Sequence, residues 1–108
     1  MAGSVAELTD ELFDSTVVSP GKTFLVDFWG EGCAPCERLT PIMHELAEEY
    51  GDKLQVGKCN IYENIEVATR FGVAAVPTLL IFKSGDMVER IVGAYPKAKL
   101  KTILDKHL

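Results

Sequence analysis

Cys33 and Cys36 are separated by two residues, which is close enough for their thiols to form a small disulfide ring. The apolar pattern that follows predicts a helix starting at this segment, and its unpaired N–H groups and dipole favour a thiolate on Cys33. Cys33, nearest the solvent, is then the nucleophile, and Cys36, one turn inside, is the resolving thiol. Pro35 lacks an N–H where the first helical turn needs none, and it stiffens the segment. This chemistry is thiol–disulfide exchange.

A zinc site or a chance spacing is the alternative interpretation of the two cysteines. Zinc needs two further ligands. The nearest candidate is His44, which lies eight residues after Cys36 on the same predicted helix, about 12 Å along its axis. Cys59 falls in a predicted strand, where a core thiol is favoured over a secondary redox or regulatory thiol. His44 and His107 are expected on the surface. We therefore expect no metal.

Length and charge bound the class of protein. The chain has 108 residues, of which 47% are hydrophobic, so we expect one domain over residues 1–108 and a monomer. A net charge of −5 argues against nucleic acid or an anionic membrane and favours neutral or basic partners. The segment 1–7 lacks a basic stretch followed by an apolar one, and no apolar run approaches about 18 residues. A cytoplasmic location is the simplest expectation.

Hydrophobic periodicity predicts alternating strands and helices. Residues 24–29 form an apolar run broken by Asp27 alone, which is typical of a strand covered on both faces. The other predicted elements are a short helix capped by Thr9 and ending before Pro20, a long helix over 34–50, a strand over 54–61, a helix over 65–71, a hairpin of strands 78–82 and 87–92, and a helix over 97–108. The predicted fold class is α/β, with a mixed sheet between helices.

Several motifs together resemble the thioredoxin family. In thioredoxin order and spacing, the chain carries Val26-Asp27-Phe28-Trp29, the Cys33-Ala34-Pro35-Cys36 segment, Pro41, Pro77-Thr78 and Gly93. The resemblance spans nearly the whole chain. It implies a thioredoxin-like fold, with about five strands in a central mixed sheet and about four flanking helices, and it implies reduction of protein disulfides.

The resemblance also assigns a proton acceptor. A buried, unpaired carboxylate is costly and holds its proton, and the family counterpart of Asp27 is thought to accept the proton of Cys36, directly or through one water. The alternative is a structural polar residue satisfied by the backbone. Lys58 occupies the family position of a lysine that partners this acid, and the alternative there is an edge-exposed lysine. Its charge would tune Asp27.

A substrate-binding edge is implied in the same way. The Val76-Pro77 bond resembles a cis segment that faces the cysteines, where a substrate peptide pairs with the backbone of Val76. Gly93 would let that peptide approach closely because it has no side chain, and Trp29 would pack below the site. The alternatives are an ordinary proline at the start of a strand and a plain core tryptophan. Pro41 should kink the long helix.

Residues beside the cysteines depart from the family pattern. Gly32 stands where a tryptophan is usual, and Ala34 where a glycine is usual, so these two positions are expected to alter contact with substrates and the reduction potential. Pro35 keeps the residue usual in the family and is expected, with Gly32 and Ala34, to contact substrates. Tyr62 stands where an aspartate is common, and the sequence offers no functional account of it.

Electrons must reach the disulfide from another protein. The chain has no GxGxxG motif and no bound cofactor is expected, so the redox-active group is the Cys33–Cys36 pair itself. The resemblance implies a flavoprotein thioredoxin reductase that uses NADPH, or else a ferredoxin-linked one. The same fold also carries oxidants and isomerases, and a binding module that uses only the groove of Val76, Pro77 and Gly93 is the alternative from a different class.

Overall fold

A computed structural model describes residues 4–18 and 21–108 of the chain. The strands and α-helices in this part are, in chain order, β1 (Val5–Glu7), α1 (Phe13–Val17), β2 (Thr23–Trp29), α2 (Ala34–Tyr50), β3 (Gln55–Asn60), α3 (Ile65–Arg70), β4 (Thr78–Lys83), β5 (Asp86–Val92) and α4 (Lys97–Asp105). Residues 1–3, 19 and 20 lie outside the described residues. Helix α1 ends at Val17, before Pro20 as predicted.

The strands form one mixed sheet with the order β1-β3-β2-β4-β5. The pairs β1–β3 and β2–β3 are parallel, whereas β2–β4 and β4–β5 are antiparallel. Six residues of β2 are buried, as expected for a strand covered on both faces. The predicted α/β architecture of about five strands and about four helices is confirmed.

Alternation along β2 divides the hydrophobic core between the two faces of the sheet. Phe24, Val26 and Phe28 belong to the cluster that contains α1 and α3 residues. Leu25 belongs to the cluster that contains α2 and α4 residues. Because side chains two residues apart share a face, Asp27 lies on the α2 side with Leu25.

Helix α2 starts and ends where its sequence pattern predicts. It begins at Ala34 directly after Cys33 and stops at Gly51, whose φ of 55° lies in the left-handed region that favours glycine. Pro41 lies inside this helix of 17 residues.

Within residues 4–18 and 21–108, no helix combines the length and the apolar content that crossing a membrane requires.

Two elements near the start of the chain differ from the sequence prediction. Strand β1 was not predicted because three residues carry too little periodicity to reveal a strand. Thr9 does cap a turn, since its Oγ1 accepts a hydrogen bond from the Leu12 N–H at 3.2 Å. The helix itself begins only at Phe13, because the residues between form a turn.

The end of the chain also differs from the prediction. The last helix stops at Asp105, and the N–H groups of Lys106 and His107 bond three residues back, which tightens the final turn. His107 was expected on the surface but is half-buried. Its carbonyl accepts from Thr23 Oγ1 at 2.8 Å, and its Nε2 lies 3.2 Å from a carboxylate oxygen of Glu89.

The predicted hairpin between β4 and β5 is confirmed, with a two-residue turn. Ser84 and Gly85 have φ values of 51° and 87°. Positive φ at both central residues is the type I′ pattern, whose twist matches that of the strands it joins.

Gly57 provides a test of the packing between β3 and its neighbours. A Cβ at Gly57 would lie 2.7 Å from Leu8 Cδ1 and 2.9 Å from Phe24 Cε1, and both of these side chains are buried. We predict that Gly57→Ala lowers the free energy of unfolding by about 1–3 kcal/mol through overpacking, measured by urea denaturation. Gln55→Ala, at an exposed position of the same strand, should change it by less than about 0.5 kcal/mol. Equal effects of the two substitutions would contradict this packing argument.

Candidate active site

Four strands bring the predicted site residues to one edge of the sheet. Parallel strands β2 and β3 end there at Trp29 and Asn60, which are register partners. The antiparallel pairing places Thr78, at the start of β4, between Phe28 of β2 and Val92 of β5. The segments that follow β2 and β5 and the one that precedes β4 therefore meet at this edge. These segments contain the cysteine pair, Gly93 and Pro77.

Cys33 and Cys36 form a disulfide at the start of α2, with their Cα atoms 5.2 Å apart. Cys33 is the N-cap of the helix, and its Sγ accepts a hydrogen bond from the Cys36 N–H at 3.1 Å. Cys33 is half-buried, whereas only 3% of Cys36 is exposed. A partner from solvent can therefore reach Cys33 first.

Asp27 lies in the layer between α2 and the sheet. Its side chain is buried and lines a cleft of about 260 Å³ together with Cys36 and Lys58. Burial raises the pKa of Asp27 from 3.8 to about 7, and the positive charge of Lys58 opposes part of that rise. Within the described residues, Asp27 Oδ1 is buried and has no hydrogen-bond partner. This environment keeps the carboxyl partly protonated near neutral pH.

Lys58 is the register partner of Asp27 across the parallel β2–β3 pair. Strand β3 runs between β1 and β2, and Lys58 is half-buried there. The alternative of an edge-exposed lysine is therefore wrong. The lysine shares the cleft with the acid, so its charge acts on Asp27 at short range.

The Val76–Pro77 peptide bond is cis, as the resemblance implied. Pro77 is buried, and its carbonyl accepts a hydrogen bond from the Gly93 N–H at 2.9 Å. Gly93 has a φ of 109°, which a residue with a side chain rarely adopts. A Cβ at Gly93 would meet only the Tyr95 ring, at 4.0 Å. The chain therefore leaves space above this glycine.

The remaining predicted residues surround the cysteines. Trp29 is half-buried and lines the cleft, and its indole N–H is buried with no partner in the described part of the chain. Gly32 is exposed with a φ of 73°, and a Cβ there would meet no atom within 4 Å. Ala34 is exposed and Pro35 is half-buried, both in the first turn of α2.

Some residues near the site were not predicted as part of it. Thr40, Met43 and His44 of α2 line the cleft, and the helical spacing of Cys36, Thr40 and Met43 is the signal that places them on one face. Tyr62, whose role could not be predicted, is 64% exposed and lies against Gly30. No local sequence signal pairs these two residues.

Cys59, the third cysteine, does not join the site. Cys59 is fully buried in the cluster on the opposite face of the sheet, which fits the core interpretation. Within residues 4–18 and 21–108, no three His, Cys, Asp or Glu side chains are grouped so as to hold a metal ion.

A disulfide that caps a helix at the edge of an α/β sheet, with one sulfur partly open to solvent and the other buried, is suited to exchange with another disulfide. The fold and this cysteine pair together define a thiol–disulfide oxidoreductase.

Sequence comparison narrows this class to a family. A family model for thioredoxin matches residues 4–106. Thioredoxin 1 of Synechococcus elongatus is 44% identical over 103 residues, which cover 95% of this chain and 96% of that protein. Thioredoxin of Acidithiobacillus ferridurans is 41% identical over 108 residues, the full length of both chains. The chain belongs to the thioredoxin family, whose members are protein-disulfide reductases with a redox-active cysteine pair and no bound cofactor.

The raised pKa of Asp27 makes stability depend on pH. A carboxyl whose pKa is higher in the folded state stabilises the fold fully below about pH 4, and this contribution is lost as the pH rises through about 7. We predict that Asp27→Asn in the oxidised protein stabilises more at about pH 8 than at about pH 4, by an amount on the order of 4 kcal/mol. Urea denaturation at both pH values measures this difference.

The control for this measurement is Asp86→Asn, which removes an exposed carboxyl at the start of β5. Its stability should stay within about 0.5 kcal/mol of the unmodified protein at both pH values. An Asp27→Asn effect that is the same at both values would contradict the raised pKa.

Cys59 should be unreactive in the folded protein. Burial, followed by the negative charges of Asp10 and Glu7, raises the pKa of its thiol to about 12. We predict that an aromatic disulfide reagent at about pH 8 titrates two of the three thiols of the reduced native protein, and the third only after denaturation. In Cys59→Ala, the native and denatured counts should be equal. Rapid reaction of all three native thiols would exclude the core interpretation.

Proposed function

We propose that this thioredoxin reduces disulfides of other proteins through Cys33 as nucleophile and Cys36 as resolving thiol. The observation that carries this assignment is the unequal exposure of the two sulfurs at the start of α2. Cys33 is half-buried at the N-cap, and Cys36 is buried beside the cleft that contains Asp27. The backbone N–H groups at the helix start also favour the thiolate on Cys33.

The proposed reaction has two displacements. The Cys33 thiolate attacks one sulfur of the substrate disulfide, a mixed disulfide forms, and the other substrate sulfur leaves as a thiolate that takes up a proton. The Cys36 thiolate then attacks the Cys33 sulfur, which releases the second substrate thiolate. Two electrons pass to the substrate, and the protein is left with its Cys33–Cys36 disulfide.

Asp27 is the proposed proton acceptor for Cys36 in the second displacement. Both side chains line the same cleft, and a pKa of about 7 lets the carboxyl exchange a proton near neutral pH. Lys58, on the adjoining strand, moderates the rise in that pKa. Glu31 and Thr40 add polar groups to the lining of this cleft.

The proposed substrate edge consists of Val76, Pro77 and Gly93. Val76 lies outside the strands and is half-buried, so its backbone is available to pair with an extended peptide. Pro77 has no N–H to compete for that peptide, and the open space at Gly93 supports close approach. Further substrate contacts around the cysteines are proposed for Trp29, Gly32, Ala34 and Pro35.

The working context follows from the family. We propose that residues 1–108 act as one domain and as a monomer in a reducing cytoplasm, with other disulfide-containing proteins as substrates. A thioredoxin reductase restores the two thiols, with electrons from NADPH through a flavin. The match to the thioredoxin model over residues 4–106 supports these assignments.

Serine substitutions test the order of the two cysteines. We predict that Cys33→Ser abolishes reduction of insulin by the reduced protein, because no nucleophile remains at the exposed position. Cys36→Ser should instead accumulate a mixed disulfide with insulin, because the resolving thiol is missing. Insulin turbidity and mass spectrometry under non-reducing conditions measure the two outcomes.

Cys59→Ser is the control for both variants and should retain full activity. Retained insulin reduction by Cys33→Ser, or a mixed disulfide formed through Cys36 instead of Cys33, would overturn the assignment. A binding module that uses the groove alone would keep its partner in every one of these variants.

A further inference from the structure

Tyr62 is a large aromatic residue left on the surface at the edge of the sheet that carries the cysteines. It comes two residues after the end of β3, and 64% of it is exposed. Its ring lies against Gly30, since a Cβ at Gly30 would lie 2.6 Å from Tyr62 Cε2. Gly30 is three residues from Cys33, so their Cα atoms are at most about 11 Å apart.

The backbone around Tyr62 is held in place by Asn60, which is 3% exposed. The Tyr62 N–H donates to Asn60 Oδ1 at 2.9 Å, and the Ile61 N–H donates to the Trp29 carbonyl at 3.0 Å. The Asn64 N–H donates to the Asn60 carbonyl at 3.0 Å. With its backbone held in this way, Tyr62 presents apolar ring area at low cost in backbone conformational entropy.

Gly32, the residue before Cys33, leaves open space beside this cysteine. Gly32 has no side chain, and no atom lies within 4 Å of the position its Cβ would take. Glu31 and Glu63, the chain neighbours of Gly30 and Tyr62, are exposed, and neither side chain has an ion pair or hydrogen bond within the residues that the structure describes. An aromatic ring and free carboxylates on residues that adjoin it or its contact in the chain both attract a cationic side chain.

We propose that Tyr62 is a specificity-determining residue of this thioredoxin, which docks protein substrates beside Cys33 and, with Glu31 and Glu63, favours disulfides flanked by arginine or lysine. The proposal rests on the exchange reaction at Cys33 proposed above. In this proposal the ring contacts the protein substrate around its disulfide. The reduction rate of a small disulfide that lacks a flanking cation should therefore not depend on Tyr62.

Two peptides with the same disulfide, one flanked by arginines and one by glutamates, test this specificity, with oxidised glutathione as a small disulfide. We predict that Tyr62→Ala lowers the second-order rate constant for the arginine peptide by about 2- to 5-fold. The rate constants for the glutamate peptide and for glutathione, and the reduction potential of the cysteine pair, should not change. Tyr62→Phe, which keeps the ring, should retain the rate of the unmodified protein.

Further variants separate the ring from the charges. Met87→Ala is the control, because Met87 is 44% exposed near the start of β5, at the edge opposite the cysteines, and it should change none of the rates. Glu31→Gln combined with Glu63→Gln should reduce both the preference for the arginine peptide and the salt dependence of its rate. Gly30→Ala, whose methyl group displaces the ring, should lower the arginine-peptide rate without adding to the effect of Tyr62→Ala.

Each outcome bears on the proposal. An equal loss with all three substrates, or a shifted reduction potential, would show that Tyr62 acts on the cysteines and would overturn it. An unchanged arginine-peptide rate in Tyr62→Ala would overturn it as well. Failure of the unmodified protein to reduce any of the three would instead contradict the proposed function, so the two failures are distinguishable.

Discussion

Helix α2 packs one apolar stripe against the face of the sheet that carries Leu25 and Ile81. The buried residues of the helix are Cys36, Leu39, Met43, Leu46 and Ala47. Because Cys36 is the first member of this stripe, it must be buried when the helix docks, while Cys33, one turn earlier, stays at the surface. Asp27 lies on the same face of the sheet. The contact that stabilises the fold thus also buries Cys36 more deeply than Cys33 and encloses the Asp27 carboxyl beside Cys36.

Strong local patterns explain why most of the fold could be predicted. Helix α2 has a long apolar period between Cys33 and Gly51, and the β4–β5 hairpin has a two-residue turn that requires positive φ. Strand β1 could not be predicted, because its three residues are a strand only through parallel pairing with β3, roughly fifty residues later in the chain. The start of α1 was misplaced because a threonine cap signals a turn as well as a helix.

Some residues of the candidate site could likewise be predicted from local patterns, and others could not. The spacing of the cysteines and the lone acid in an apolar strand are visible in the sequence, so Cys33, Cys36 and Asp27 could be named from it. The closeness of Lys58 to Asp27 depends on strand register, which the residues alone leave undetermined and the structure supplies. Tyr62 and Gly30 follow the ends of two different strands, and no pattern in either segment predicts that they are in contact. Long-range pairing is the information that sequence patterns lack.

The small size of the disulfide ring has a consequence for the chain before it folds. The bridge joins residues only three apart in sequence, so it removes little of the freedom of the unfolded chain. By the loop-closure relation, the entropic stabilisation is only about 2 kcal/mol, against about 4 to 5 kcal/mol for a bridge that spans a whole domain. The two core clusters on either side of the sheet must therefore hold the fold in both redox states. A chain that alternates between thiols and disulfide in each turnover can do so without folding anew.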